Sequence, residues 1–235
     1  MSPLDPPGDA VATAIADAIR RGLRERADPA NAEGMRAYLK SDLPCLGTYS
    51  GPRREVVRDA LADVALDPQV WVALVRDLWD DPTCREERQA AIDVLLHRRA
   101  RPFRDVATLD LFRDLAVEGA WWDLVDAIAG GVNEVLDADR AGATPVVGAW
   151  ATDDDLWVRR LSIIAQLRSR DRTVLDLLAH AIDANAGSEE FFLRKAIGWA
   201  LRTHARVDPD WVRGFVDERR DRLSALSVRE ATRHL

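Results

Sequence analysis

Apolar residues recur three and four positions apart along nearly the whole chain after Asp9, and no segment alternates between apolar and polar residues as a strand would. This pattern predicts helices throughout, and several begin at Pro or directly after Ser, Thr or Asp, as helix starts commonly do. The predicted helices are Val11–Arg26, Pro29–Ser41, Pro52–Val64, Pro68–Trp79, Thr83–Arg99, Val106–Glu118, Trp121–Ala129, Val132–Ala138, Thr144–Trp150, Leu156–Arg168, Thr173–Ala184, Ser188–Thr203, Pro209–Arg219 and Val228–Leu235. The proline-rich residues 1–9 are predicted to form a disordered tail, and residues 10–235 a single domain.

Three of the predicted helices contain similar segments, which begin at Arg88, Arg159 and Arg194. The second and third segments are one period of about 35 residues apart, and the first precedes the second by about twice that period. Repeats of ~35 to 47 residues built from helix pairs are typical of α-solenoids of the HEAT or armadillo type. The sequence therefore predicts an all-α superhelix of helical repeats with a concave groove.

Composition excludes several classes of protein. The chain has 235 residues, 47% of them hydrophobic, which is enough for a substantial core. No apolar run approaches the ~20 residues of a membrane-spanning helix, and the first residues lack the features of a signal peptide, so we expect a cytoplasmic protein without a membrane partner. Cys45, Cys84 and the four histidines show no metal-ligand spacing, and Gly130-Gly131 is expected to end a helix rather than hold a phosphate. We therefore expect no metal and no cofactor.

The charge pattern leaves nucleic acid open as a partner. A net charge of −7 argues against indiscriminate binding of polyanions, but cations clustered on one face could still bind DNA. Of the 33 basic residues only Lys40 and Lys195 are lysines, and arginine binds phosphate through a planar, bidentate fork. Genomic base composition explains this arginine bias equally well.

The segment Trp121–Asp126 places two indoles and two carboxylates on one predicted helix. Trp121 shares the apolar stripe with Leu124, Val125 and Ile128, whereas Trp122 and Asp126 lie together at the border of the buried face. A carboxylate beside an aromatic surface suits the binding of a cation. A core tryptophan, a half-exposed tryptophan and a solvated acid are the alternative interpretation.

Two further helices carry residues that break the helical pattern. Arg160 projects from an apolar sector, so it must either pair with a carboxylate or face an anionic ligand. Trp199 lies at the margin of its helix's core stripe, flanked by Lys195 and Arg202, which suits a sugar and its phosphates. A tryptophan that caps the core beneath basic side chains is the alternative. Tyr38 is similarly marginal on its own helix.

From about Ala32 to its C-terminus the chain resembles the AlkD-like family of DNA alkylation repair glycosylases, which are built from HEAT-like repeats. The segments that carry the resemblance are Met35-Arg-Ala-Tyr-Leu-Lys, Leu43-Pro-Cys-Leu-Gly, Pro52-Arg-Arg, Leu78-Trp, Trp121-Trp-Asp-Leu-Val-Asp, Leu156-Trp-Val-Arg-Arg, Phe191-Phe-Leu-Arg-Lys-Ala-Ile-Gly-Trp-Ala-Leu-Arg and Leu226-Ser-Val-Arg-Glu-Ala. Their order and spacing together are far more specific than any one of them. By this resemblance the concave groove is a DNA-binding cleft.

The resemblance also implies roles for the residues that break the pattern. Trp122 and Asp126 match the family's cleft tryptophan and aspartate, Arg160 its cleft arginine, Trp199 its second cleft tryptophan and Tyr38 its N-terminal tyrosine. It implies excision of positively charged N3- and N7-alkylated purines, such as 3-methyladenine and 7-methylguanine, without burial of a flipped base. The expected protein is a monomer that acts on double-stranded DNA in association with the nucleoid.

Expected roles follow from the chemistry of that reaction. Asp126 would stabilise the sugar cation, the two tryptophans would bracket the sugar, and Arg160 would hold a phosphate and keep the carboxylate ionised. Further contacts with DNA are expected from Tyr38, Lys195, Arg202, Arg53 and Arg54. No strand cleavage is expected. Two alternatives stay open: a non-catalytic HEAT-like module that binds damaged or branched DNA, and a protein-binding solenoid without a role on DNA.

Overall fold

A computed structural model describes residues 7–235, and every regular element in this range is helical. The α-helices are α1 (Pro7–Glu25), α2 (Pro29–Leu39), α3 (Ser50–Ala60), α4 (Pro68–Asp80), α5 (Arg85–Leu95), α6 (Leu109–Gly119), α7 (Trp122–Ala138), α8 (Arg140–Ala149), α9 (Leu156–Ile164), α10 (Leu175–Asn185), α11 (Phe191–His204), α12 (Pro209–Glu218) and α13 (Ala225–Ala231). Short 3-10 helices cover Arg98–Phe103, Val106–Thr108, Trp150–Thr152 and Arg170–Arg172. Of the predicted tail, residues 1–6 lie outside the described residues, and 7–9 belong to α1.

The chain divides into two compact units, one ending at Phe103 and the other formed by Arg104–Leu235. The prediction of a single domain over residues 10–235 stays a prediction. None of the described helices is both long enough and apolar enough to cross a membrane.

In the first unit, α1 packs on α3 and α4, and α5 packs on α3 and α4. The loop before α3 is held by the buried carboxylate of Glu86, which accepts hydrogen bonds from the backbone N–H groups of Leu46, Gly47 and Thr48 at 2.9–3.2 Å. Gly47 has a φ of +81°, and a Cβ atom there would collide with the carbonyl oxygen of Asp28. The Leu43-Pro-Cys-Leu-Gly segment of the sequence is therefore a structural loop.

In the second unit, α7, α9, α11 and α13 pack one against the next. Equivalent residues on these helices are about 35 positions apart, and several ion pairs connect successive repeats at that separation, such as Arg172 with Asp137 at 2.8 Å. Gly198 lets α11 approach α13 closely, because a Cβ atom at this position would collide with Glu230. The predicted all-α fold of helical repeats is confirmed.

One prediction about the second unit was wrong. Gly130-Gly131 does not end a helix, because α7 continues through both glycines to Ala138. Both residues are buried where α7 packs against its neighbours. The two predicted helices Trp121–Ala129 and Val132–Ala138 are thus a single element. Packing outweighs the cost of roughly 1 kcal/mol that each glycine carries in a helix interior.

Candidate active site

The centre of the candidate site is an ion pair between α7 and α9. The Nε and Nη2 atoms of Arg160 donate to the two carboxylate oxygens of Asp126 at 2.7 and 2.8 Å, and its Nη1 atom donates to the carbonyl oxygen of Phe192 at 2.6 Å. Arg160 is only 4% exposed. Asp155 fixes the start of α9, because its side chain accepts from the N–H groups of Trp157 and Val158. Of the two alternatives for Arg160, pairing with a carboxylate is the one observed.

Burial makes Asp126 an unusual carboxylate. Desolvation raises its pKa, although the hydrogen bonds and the positive charge of Arg160 oppose that effect. The guanidinium is always charged at physiological pH, so its partner stays ionised at neutral pH. A raised pKa nevertheless means that the folded protein compensates this charge less fully than water would. A second cation close to Asp126 would therefore be stabilised.

A cavity of about 270 Å³ opens beside the ion pair, and Asp126 and Trp199 both line it. Its wall also includes Asn133, which donates from Nδ2 to the hydroxyl of Ser169 at 2.6 Å. Thr203 and two arginines that the sequence-based reasoning missed, Arg168 and Arg206, complete the polar lining. The structure thus brings the predicted carboxylate and the second predicted tryptophan to one cavity.

The two N-terminal tryptophans of this region have different surroundings. Trp122 is the first residue of α7 and is half-buried. Trp121 precedes the helix instead of lying on its core stripe, and its ring packs against Trp157 at 5.9 Å and Phe192 at 5.4 Å between ring centres. The predicted core residues Leu124, Val125 and Ile128 are fully buried. The position of Trp122 on the same helix as Asp126 is therefore as predicted, whereas Trp121 belongs to an aromatic cluster at the helix start.

The basic residues predicted to bind DNA mostly have carboxylate partners. Lys195 lies 3.1 Å from Glu230, and Arg202 pairs with the same carboxylate. The hydrogen bond from Lys195 lowers the pKa of Glu230, burial opposes this effect, and Arg202 adds to the lowering. This shared carboxylate orients both cations along the partly exposed edge of α11 that carries Trp199.

The remaining predicted contacts lie in the first unit. Arg53 is buried and bonded to Asp93 at 2.7 Å and to Gln89 at 2.8 Å, so it serves the packing of α3 on α5. Arg54 pairs with the same Asp93 from a largely exposed position. Tyr38 is 72% exposed on α2. The expectation that Arg53 contacts DNA is therefore not retained, because its guanidinium is already enclosed by the fold.

Arg168 and Arg206 could have been found only with knowledge of the packing. Arg168 lies over Gly130, where a Cβ atom would come within 3.0 Å of its Nη1 atom. The glycine inside α7 thus makes room for a guanidinium from the end of the next repeat. A search for glycines at helix faces would have singled out Gly130, but nothing in the sequence indicates which side chain occupies the space.

Comparisons with known proteins agree with this architecture. The sequence model of the family described as DNA alkylation repair enzyme matches residues 19–235. Among solved structures, the chain is similar to a protein described as a predicted DNA alkylation repair enzyme from Enterococcus faecalis. The TM-score is 0.81 and the sequence identity 27%, over 89% of this chain and 97% of that one. A comparison with curated proteins finds no match.

Proposed function

This chain belongs to the DNA alkylation repair enzyme family, and we propose that it is a monofunctional DNA glycosylase for positively charged N3- and N7-alkylpurines. The observation that supports this proposal most directly is the desolvated carboxylate of Asp126 in the wall of a cavity that Trp199 also lines. The substrates in question are 3-methyladenine and 7-methylguanine in double-stranded DNA.

The chemistry of these lesions matches a site with a carboxylate and no general acid. Alkylation at N3 or N7 gives the purine a formal positive charge, so the base leaves as a neutral molecule and needs no proton. As the N-glycosidic bond breaks, positive charge moves to the deoxyribose. A fixed carboxylate stabilises that charge electrostatically, and it can orient the water that attacks the anomeric carbon. Asp126 is proposed for both roles.

Arg160 is assigned here as a positioning residue. Three of its N–H groups already donate to Asp126 and to the backbone of Phe192, and the side chain is buried. A bidentate guanidinium fixes the plane of the carboxylate and keeps it ionised. We assign contact with a DNA phosphate instead to the partly exposed cations Lys195 and Arg202. Tyr38 and Arg54 in the first unit remain further proposed contacts.

The tryptophans are proposed to stabilise the sugar cation through their electron-rich faces. Trp199 lines the cavity together with Asp126, and Trp122 lies one helical turn before Asp126 on α7. A cation over an aromatic face gains roughly 0.5–2 kcal/mol, more when the site excludes water. Both rings would therefore favour the charged transition state over the neutral sugar of the undamaged strand.

One observation favours the alternative of a non-catalytic module for damaged or branched DNA. Both oxygens of Asp126 already accept hydrogen bonds from Arg160, as they would in a purely structural ion pair. Each carboxylate oxygen retains a second lone pair, however, so the bidentate pair leaves room for a further partner. Release of the alkylated base distinguishes the two functions, because a binding module would leave the N-glycosidic bond intact.

The proposal is tested by measuring release of 7-methylguanine from methylated duplex DNA by chromatography under single-turnover conditions. Asp126→Asn should lower the rate by at least about 100-fold, because it removes the charge and keeps the shape. Asp123→Asn, three residues earlier on the same helix, is the matched control and should retain most of the activity. Equal losses in both variants, or no release by the wild type, would contradict the proposed role of Asp126.

Base removal should not be accompanied by strand cleavage. A lyase needs an amine that forms a Schiff base with the sugar, and the lysine on the cavity-lining helix, Lys195, is ion-paired with Glu230. Borohydride added during the reaction on 7-methylguanine DNA should trap no covalent protein–DNA adduct. An adduct that disappears in Lys195→Ala would make the enzyme a lyase as well.

A further inference from the structure

A second and larger cavity, of about 750 Å³, lies in the second unit next to the one that Asp126 lines. The two cavities share Leu167, Arg168, Thr203 and Arg206 as lining residues. A volume between roughly 300 and 1,000 Å³ is typical of pockets that enclose a small molecule. The proposed glycosylase reaction uses none of this space.

The lining of the larger cavity is strongly cationic. Four arginines line it, Arg168, Arg170, Arg172 and Arg206, and no carboxylate does. Arg172 pairs with Asp137 outside the cavity, whereas the other three have no ion-pair partner within residues 7–235. All four are exposed, in a chain whose net charge is −7. A local surplus of unpaired guanidinium groups is the arrangement that binds a phosphate group.

The rim that carries these arginines is held in place by specific contacts. Arg170 has a φ of +54°, which is uncommon for a residue with a side chain, and its carbonyl oxygen accepts a hydrogen bond from the Thr173 hydroxyl at 2.7 Å. The neighbouring Ser169 is buried and bonded to Asn133. Arg168 occupies the space above Gly130. The three unpaired guanidinium groups are thus presented from one anchored segment and from the end of α11.

The floor of the cavity is mostly aliphatic and carries no formal charge, and its polar members are the buried side chains of Gln166 and His204. Ile163, Leu178 and Ala200 contribute aliphatic surface, and the ring of His204 adds a flat wall that packs edge-on against Trp211. Burial lowers the pKa of His204, although the charge of Asp208 opposes the effect, so the ring adds no positive charge at neutral pH. An inorganic anion would leave this apolar floor unused. The lining instead matches a ligand with a phosphate at one end and a flat, weakly polar body at the other.

We propose that this cavity binds one nucleoside phosphate unit, with the phosphate on Arg168, Arg170 and Arg206 and the base on the apolar floor. Two sources could supply that unit. One is a free nucleotide, and the other is a nucleotide of the bound DNA that lies outside the base stack, beyond the site at Asp126. The chemistry of recognition is the same for both.

The test measures binding of deoxyadenosine monophosphate to the full chain by calorimetry, with inorganic phosphate and deoxyadenosine as the two partial ligands. The nucleotide should bind at least about tenfold more tightly than either part, because both halves of the cavity are then used. Arg206→Ala should weaken nucleotide binding about tenfold. Arg213→Ala, an exposed arginine of α12 paired with Asp210, is the matched control and should leave it unchanged.

A second variant tests whether the position of the Arg168 guanidinium matters, and not only its charge. Gly130→Ala keeps every charge but moves the Arg168 guanidinium, and it should weaken nucleotide binding while α7 stays folded by circular dichroism. Equal affinity for the nucleotide and for inorganic phosphate would overturn the proposal. So would an unchanged affinity in both Arg206→Ala and Gly130→Ala.

The source of the nucleotide is decided by repeating the titration with saturating undamaged duplex DNA. Competition between the two ligands identifies a nucleotide of the DNA as the natural occupant, and simultaneous binding identifies a free nucleotide. Either result supports the cavity assignment. Because nucleotide binding is measured without base excision, failure of this proposal leaves the glycosylase proposal untouched, and the reverse also holds.

Discussion

Replacing Arg160 with alanine should destabilise the protein to an extent that depends on pH. The substitution leaves the Asp126 carboxylate, whose side chain is 18% exposed, without the guanidinium that now contacts both of its oxygens. Removing one partner of a buried ion pair typically costs about 3–5 kcal/mol, since the other charge remains desolvated. We expect a loss near the lower end of that range at pH 8, because Asp126 keeps some contact with solvent.

The pH dependence follows from the pKa of Asp126. Desolvation already raises this pKa in the folded protein, and loss of Arg160 should raise it further. A carboxyl group whose folded pKa lies above its unfolded value of about 3.9 contributes stability that is fully present below the unfolded pKa and is lost as the pH rises through the folded pKa. The penalty of Arg160→Ala should therefore shrink as the pH falls from 8 to 5, by at most about 1.4 kcal/mol per pH unit.

Urea unfolding of wild type and Arg160→Ala at pH 5, 6, 7 and 8 gives the penalty as the difference between their free energies of unfolding. Contributions from other titrating groups are the same in both proteins and cancel in this difference. In an Asp126→Asn background there is no carboxylate to protonate, so the penalty of Arg160→Ala measured against the Asp126→Asn single variant should not vary with pH. Arg113→Ala, which breaks the more exposed pair with Asp153 at 2.9 Å, is the control and should cost at most about 1 kcal/mol. A penalty for Arg160→Ala that is equal at pH 5 and pH 8 would refute the reasoning.

Three further predictions concern catalysis, titration and packing. Trp122→Ala and Trp199→Ala should each slow single-turnover excision more than they weaken binding to undamaged duplex DNA, and equal effects on both would mean that the rings serve binding alone. Burial lowers the pKa of His204 below its unfolded value of about 6.5. The stability that its neutral ring contributes is therefore present above that pH and is lost as the pH falls. Wild type should lose stability relative to His204→Phe between pH 7 and 5, and parallel pH profiles of the two proteins would contradict this. Gly198→Ala should lower the free energy of unfolding by about 1–3 kcal/mol, measured by thermal denaturation, because the new Cβ atom would collide with α13. Gly214→Ala is the control: its Cβ atom meets no atom within 4 Å, and it should raise the free energy of unfolding by about 0.5–1 kcal/mol. A Gly198→Ala protein as stable as wild type would show that α11 and α13 are not in close contact.

Only part of the candidate site could be predicted from helical periodicity. Arg160 lies where the pattern of its helix would place an apolar residue, whereas Asp126 and Trp199 lie at the margin of the buried face and were singled out by the resemblance to a known family. The sequence could not decide whether Arg160 pairs with a carboxylate or faces a ligand, because that depends on which helix packs against α9. In the structure the partner lies one repeat earlier, on α7.

Features that depend on contacts between repeats could not be predicted from the sequence. The partner of Lys195 and Arg202 is Glu230, on the next repeat, and a helical wheel of α11 cannot show it. Gly130-Gly131 looked like a helix end because glycine has low helix propensity, but burial of α7 among its neighbours outweighs that local preference. The space that Gly130 leaves for Arg168 is a property of two helices together and has no signature on either one.

The pairing of Asp126 with Arg160 bears directly on how a repair enzyme of this kind could avoid attacking normal DNA. Arg160 keeps the Asp126 carboxylate ionised, but the protein stabilises this negative charge less than water would. A further positive charge beside the carboxylate therefore lowers its free energy. An undamaged nucleotide brings no such charge in its ground state. In the proposed reaction, Asp126 would therefore give its electrostatic stabilisation mainly as the sugar becomes cationic, which is the condition for accelerating a reaction rather than merely binding a substrate. Lesions whose base already carries a positive charge reach that transition state without a proton donor, so a site built on one carboxylate discriminates against neutral bases by the chemistry of the leaving group.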